Sequence, residues 1–385
     1  MHSRGHGRTY MPTIVYAVLR RKMKRAILAT LLLSMMGFAT ISVFLSTTLV
    51  QGQAQVGTPK HGGTLVLGVL ADPGATMPPR PRTMLGTLLR EINEPLVRLD
   101  FNFDPVPILA QSWDISPDYL TYTFHLVRNA SWSDGVPFTS ADVKFTYDQQ
   151  GMGKYHPRIK QLMKYVDSIE TPDDYTVVFK MKSEYGPFFG FLTGGLGTGY
   201  IYPKHIWGQS VGSVDDLLAN PASTKPIGTG PFILEEWVKG SHITLVRNPN
   251  YWRKDLPYLD KLVLKIIPDP TSRMLALESG DVDAVTQPDV TQSEVGRLSK
   301  NPAFYVPMHP TGHEAGIAMM YVMYNVKRAP FDNVLVRRAI AYAFDRDMLM
   351  ERAVYGLAFP ATGPISSSLK WCYNPDVPKY PYDPK

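Results

Sequence analysis

Residues 110–147 read AQSWDISPDYLTYTFHLVRNASWSDGVPFTSADVKFTY, and the fold is decided in this stretch. From Thr121 to Val127 the chain alternates, with Tyr122, Phe124 and Leu126 on one face and Thr121, Thr123 and His125 on the other. That is the period-two pattern of a half-buried strand. Trp113 and Trp132 bracket the strand and are expected to seal the core beneath it. Asp134-Gly135 supplies a tight turn. Thr139, three residues ahead of Asp142, opens a helix through Val143, Phe145 and Tyr147, as a capping box with Asp in place of Glu.

The same alternation of strands and capped helices continues on both sides. Thr64 to Leu70 is an almost unbroken apolar run, as a strand buried on both faces requires. Tyr175–Met181 alternates, gathering Tyr175, Val177, Phe179 and Met181, and residues 241–247 and 261–267 are further strands. Asp269-Pro270 predicts a helix start and Gly280 its end. The strongest helical pattern runs from Asn333 to about Tyr355, closed by Gly356, with Val336, Ala339, Ile340, Ala343 and Phe344 forming one apolar stripe. No repeat or low-complexity tract interrupts the chain, and its 33 prolines are spread over many loops. The class is α/β with mixed sheets.

Composition narrows the function. A length of 385 residues fits two or three domains, and 44% apolar with 19% charged residues excludes a disordered chain. The single cysteine, Cys372, excludes an internal disulfide framework, a zinc ribbon and a CxxC redox site. The net charge of +6 is local: residues 1–54 hold seven basic side chains and no acidic one, leaving 33 basic against 34 acidic residues in the rest. The body is therefore neutral and gives no reason to expect nucleic acid as a partner. Arg20 to Arg25 form a basic cluster, Ala26–Val50 is uncharged, and Gly52-Gln53-Ala54 offers a small-x-Ala exit. This is the layout of an export signal. The protein is expected in the periplasm or on the outer face of the cytoplasmic membrane, with 26–50 as an anchor if it is retained. No cysteine near residue 54 permits a lipoprotein anchor.

Catalytic motifs occur only in fragments. Gly208 to Gly212 matches GxSxG around Ser210, but Pro203 interrupts the strand that a nucleophile elbow needs, and a loop opening a helix near Val214–Leu218 fits better. His313-Glu314 lacks a second His, since Ile317 stands where HExxH requires one. His61, His125, His156, His205, His242 and His309 show no ligand spacing. Asp281 and Asp283 read as the exposed start of a strand rather than an acid–base pair. Gly194 to Gly199 lacks the GxGxxG spacing because Tyr200 follows. No catalytic residue, metal ligand or cofactor is expected. The 21 Tyr, 16 Phe and 6 Trp suit an extended organic ligand in a cleft, although core packing claims most of them.

Beyond 110–147, Gly62 to Leu65, Ile201 to Trp207, Pro226 to Phe232, Arg247 to Trp252, Arg273 to Asp283, Pro330 to Ala339 and Phe344 to Arg346 follow in one register across residues 62–384. Together these motifs resemble the extracellular solute-binding proteins of family 5, the oligopeptide-, dipeptide- and nickel-binding components of ABC importers. The resemblance implies a two-lobed clamp: a leader (1–54), lobe I from 55–100 and 222–310, an inserted subdomain (101–221) and part of lobe II (311–385). Family members continue beyond the point matching Lys385, so the second lobe is expected to be incomplete. The implied function is non-catalytic capture of a peptide between the lobes for delivery to ABC permease subunits, by a monomer. Asp72 and Pro73 match the place where peptide-binding relatives present an acidic segment to the cleft. Met320 and Tyr321, on a strand before Asn325, match a position of cleft-lining side chains, and Tyr155 joins them from the inserted subdomain. A nickel chelate or a short glycan is the alternative ligand within this fold. Outside it stand an exported serine hydrolase using Ser210 and a sensory co-receptor held by 26–50.

Overall fold

The computed structural model describes residues 19–20, 59–72, 83–100, 104–148, 150–194, 199–285, 290–306, 321–367 and 373–385. In chain order the main elements are β1 (Thr64–Val69), α1 (Thr83–Ile92), β2 (Ala110–Ile115), β3 (Thr121–Leu126), α2 (Ser140–Tyr147), β4 (Val166–Asp173) and β5 (Thr176–Met181). There follow α3 (Val214–Ala219), β6 (Phe232–Val238), β7 (His242–Arg247), β8 (Lys261–Ile266), α4 (Pro270–Ser279), β9 (Ala284–Val285), α5 (Gln292–Leu298), α6 (Val334–Ala343) and α7 (Arg346–Arg352). Of the expected leader only Leu19–Arg20 is described, paired antiparallel with Phe304–Tyr305, and Cys372 lies outside the described residues. Among the described residues, no helix is long and apolar enough to cross a membrane.

Five strands form a mixed sheet in the order β9-β1-β8-β7-β6. β1 runs parallel to β8 and β9, whereas β7 is antiparallel to both of its neighbours. The apolar run of β1 serves two faces. Leu67 and Val69 join Leu88 and Ile92 of α1 with Ile243, Leu245, Leu262 and Leu264. Val66 packs on the other face against the core of Met274, Leu277, Val295 and Leu298 from α4 and α5. The caps read from sequence set the limits of α4: the Asp269 carboxylate accepts from the Ser272 N–H at 2.7 Å, and Gly280 ends the helix at φ +84°.

The stretch 110–147 supplies two strands of a second, antiparallel sheet, β2-β3-β5-β4, completed by residues 166–181. Tyr122, Phe124 and Leu126 are buried as the alternation demands, beside Val177, Phe179 and Met181. Trp132 is completely buried, and Trp113 packs half-buried at the rim against Phe124 and Phe189. Gly135 turns at φ +89°, which lets the Trp132 N–H reach the Val136 carbonyl at 2.8 Å. Each fully buried ring of this kind contributes on the order of 2–3 kcal/mol relative to exposure.

Two expectations need correction. The single helix from Asn333 to Tyr355 is two. Asn333 caps α6 by accepting from the Leu335 N–H at 2.8 Å, Phe344 becomes extended (φ −89°, ψ 107°), and Asp345 caps α7 by accepting from the Met348 N–H at 2.9 Å. An Asp able to bond the backbone two or three residues on competes with helix continuation, and here it wins. Of the strand expected before Asn325, the described residues 321–325 form no ladder, and Tyr321 is 72% exposed.

Candidate ligand-binding site

β1, β8 and β9 are parallel and so end on one edge of the mixed sheet, the side on which open α/β sheets take ligands. Pairing of His242 with both Lys265 and Val238 brings the β6–β7 turn to the same edge. There the Ile267 N–H donates to the Val69 carbonyl and the Ile266 N–H to the Ser241 carbonyl, each at 2.8 Å. Asp72 lies three residues beyond β1. Its Oδ2 accepts from the Trp237 indole N–H and from the Gly240 N–H, both at 3.0 Å. Gly240 sits at φ +75°, a left-handed turn residue that presents its amide to the carboxylate. Arg273, only 3% exposed, donates to the Ile267 and Pro268 carbonyls and so fixes the chain leaving β8. Trp237 also lines a cleft of about 320 Å³ along β6, with Leu234, Thr224, Lys225 and Lys239.

The other expected contacts are dispersed. Tyr155 is half-buried, donates its hydroxyl to the Val211 carbonyl at 2.7 Å and packs on the small core of Trp207, Tyr202 and Leu217. Tyr321 is solvent-exposed. Pro73 and Met320 lie outside the described residues. The three described side chains therefore occupy an internal staple, a small core and open solvent.

Ser210 is not set up as a nucleophile. A helical turn, Lys204–Trp207, precedes it in place of a strand, and its Oγ accepts from the Asn220 side-chain amide at 2.9 Å. The nearby His205 is paired instead with Asp134 at 2.8 Å. Ser213 caps α3, as the loop reading of this segment expects. Asp283 accepts from the Val66 N–H at 2.9 Å and ties β9 to β1. Among the described residues, no group of three His, Cys, Asp or Glu side chains is placed to hold a metal ion.

Two buried carboxylates hold more than the sequence predicts, Asp142 beyond its capping box and Glu94 altogether. Asp142 reaches back to the Thr139 N–H at 3.0 Å, accepts from the Trp132 indole at 3.3 Å and takes the Lys204 N–H at 2.8 Å. Burial pushes its pKa up, and these hydrogen bonds with the nearby His205 only partly offset the shift. Glu94, 2% exposed, accepts from the Tyr251 hydroxyl and the Trp252 indole, both at 2.7 Å. Burial, and then the Glu94 charge, push the Tyr251 phenol up. The Asn129 side chain reaches the Trp252 carbonyl at 3.1 Å, and the Ser133 N–H donates to the Gly228 carbonyl at 2.9 Å. These contacts lock the two sheets together. The signal lay in the tryptophans, whose single N–H needs an acceptor once buried.

The sequence profile of the bacterial extracellular solute-binding proteins, family 5 Middle, matches residues 104–385. The chain belongs to this family. Other proteins place it among the same kind. A putative ABC transporter peptide-binding protein of Brucella ovis is 35% identical over 272 residues, covering 70% of this family 5 chain and 48% of its own length. Heme-binding protein A of Haemophilus influenzae is 30% identical over 304 residues, covering 73% and 52%. The chain thus spans about half the length of these curated relatives. The periplasmic binding protein DppA of Helicobacter pylori, solved with the peptide STSA, matches with a TM-score of 0.65 at 29% identity, over 85% of this chain and 65% of its own. The α/β fold expected from sequence is that of these two-lobed binding proteins.

Proposed function

We propose that this family 5 chain captures a peptide outside the cytoplasm and delivers it, chemically unchanged, to the permease of an ABC importer. The observation that carries this reading is the likeness, over 85% of the chain, to a periplasmic binding protein holding a peptide. In this reading residues 55–100 and 222–310 are lobe I, supported by the pairing of β1 with β8 and β9. Residues 101–221 are the inserted subdomain, and 311–385 belong to lobe II. The ligand lies between the lobes, along the sheet edge that carries Asp72, and the positions proposed to meet it are Pro73, Tyr155, Met320 and Tyr321. Closure of the lobes tells the permease that a ligand is aboard, because only the liganded form favours the closed state. The chain acts as an exported monomer, directed out by its basic and apolar leader. It is not an enzyme: the Ser210 hydroxyl is engaged by Asn220 and the nearby His205 by Asp134, which supports a binding role.

A heme ligand is the second reading, favoured by the name of the Haemophilus relative. Native mass spectrometry of the protein purified from its own cell envelope separates the two. Noncovalent adducts that fragment into peptide sequences are expected. Adducts of heme mass, with a Soret band in the absorption spectrum of the same sample, would replace peptide by heme, and stoichiometric labelling of Ser210 by a fluorophosphonate would overturn the non-enzymatic reading.

A further inference from the structure

Asp72 matches a cleft-lining position, yet its carboxylate faces the protein. One oxygen, Oδ2, receives two N–H donors at 3.0 Å, the Trp237 indole and the Gly240 amide. Two donors on a single oxygen occupy both of its lone pairs and fix the plane of the carboxylate. The partners are well chosen for a mechanical role. Trp237 pairs with Ile243 inside the sheet, packs on the core beside Leu234 and Ile266, and at the same time walls the cleft along β6. Gly240 is the left-handed residue of the β6–β7 turn. Only Leu70 and Ala71 separate Asp72 from β1, so holding Asp72 fixes where the chain leaves that central strand.

We infer that Asp72 is a positioning residue: acting through Trp237 and the Gly240 turn, it staples the exit of β1 to the β6–β7 hairpin and so sets the shape of the ligand-facing edge. Its carboxylate orders the edge and does not meet the ligand. This inference rests on the reading of that edge as peptide-binding. It makes Trp237, which sequence reasoning assigned to no site, a determinant of edge geometry.

The test compares Asp72→Ala, Asp72→Asn and Trp237→Phe in the full chain. Two readouts are used: the Trp237 indole and Gly240 amide resonances by 15N NMR, and affinity for a defined pool of tri- to pentapeptides. The Trp237 indole is assigned by its loss in Trp237→Phe. Asp72→Ala is expected to shift both resonances, speed their hydrogen exchange and weaken peptide binding by about tenfold, the scale of lost hydrogen bonds to a charged acceptor. In Asp72→Asn the amide oxygen accepts the same two donors, so both resonances and most of the affinity return. If Asp72→Asn keeps both resonances in place but loses binding as fully as Asp72→Ala, the charge meets the ligand and the inference fails. If Asp72→Ala leaves both resonances unmoved, there is no staple and it fails as well. Absence of peptide binding in the unsubstituted protein sinks the peptide reading, while the two resonances still decide whether the staple exists.

Discussion

Residues 59–306 and residues 321–385 carry the same kinds of sequence signal and fold to different effect. In the first region every strong pattern finds a partner: the alternation of β3 is buried under α2, and the apolar run of β1 is covered on both faces. In the second region α6 and α7 are well capped, yet neither contains a buried residue. Leu335 is 64% exposed and Met323 81%, and only Val354, Leu357 and Ser366 are buried among its described residues. Caps and amphipathic stripes therefore specify a helix, but only a facing surface turns the stripe into stability.

The sharpest contrast comes from one kind of truncation made in both places. Phe124→Ala removes a fully buried ring between Phe179 and Phe188 and should cost about 4 kcal/mol in urea unfolding. Leu335→Ala on α6 should change stability by less than about 0.5 kcal/mol. Equal costs would mean that the second region is packed as tightly as the first.

Gly228 probes the joint between the sheets. A Cβ there would lie 1.9 Å from the Ile92 carbonyl oxygen, which is backbone and cannot swing aside. Gly228→Ala should destabilise by about 3 kcal/mol. Gly240→Ala makes a useful control, because a Cβ at Gly240 meets nothing within 4 Å and only its φ of +75° opposes substitution. Its cost should be about 1 kcal/mol.

Asp142 gives the buried region a pH signature. Its folded pKa is raised above the ordinary 3.8 by burial. Between 3.8 and that higher value the native state holds more protons than the unfolded one, so this group's contribution falls as pH rises through the window. Asp142→Asn cannot titrate and should lack that slope in urea unfolding followed across acidic pH. A parallel slope in both proteins would show that another group is responsible. The cap between the exposed helices gives a local effect: Asp345→Ala should lower the helicity of α7, at a cost of about 1 kcal/mol.

Legibility in the sequence followed the range of the interactions. The start and end of α4 were readable because Asp269, Pro270 and Gly280 act within a few residues of themselves. The faces of β3 and β5 were readable because burial imposes a period of two. The break at Phe344–Asp345 was missed because the apolar stripe runs straight across it while the competing cap is a single Asp. The role of Asp72 was hidden for a different reason: its partner Trp237 stands 165 positions away, and no local pattern joins them. Glu94 was hidden in the same way, since its donors Tyr251 and Trp252 arrive from beyond the whole second sheet.

Hydrogen exchange by mass spectrometry, with and without a pool of tri- to pentapeptides, tests the whole picture most directly. The strands β1, β3, β5, β7 and β8 should exchange slowly in both states and α6 and α7 quickly without peptide, while added peptide should slow residues 70–72, 239–241 and 321–325. Uniform protection of both regions without peptide, or slowing by peptide around Ser210 with none at these three segments, would contradict it.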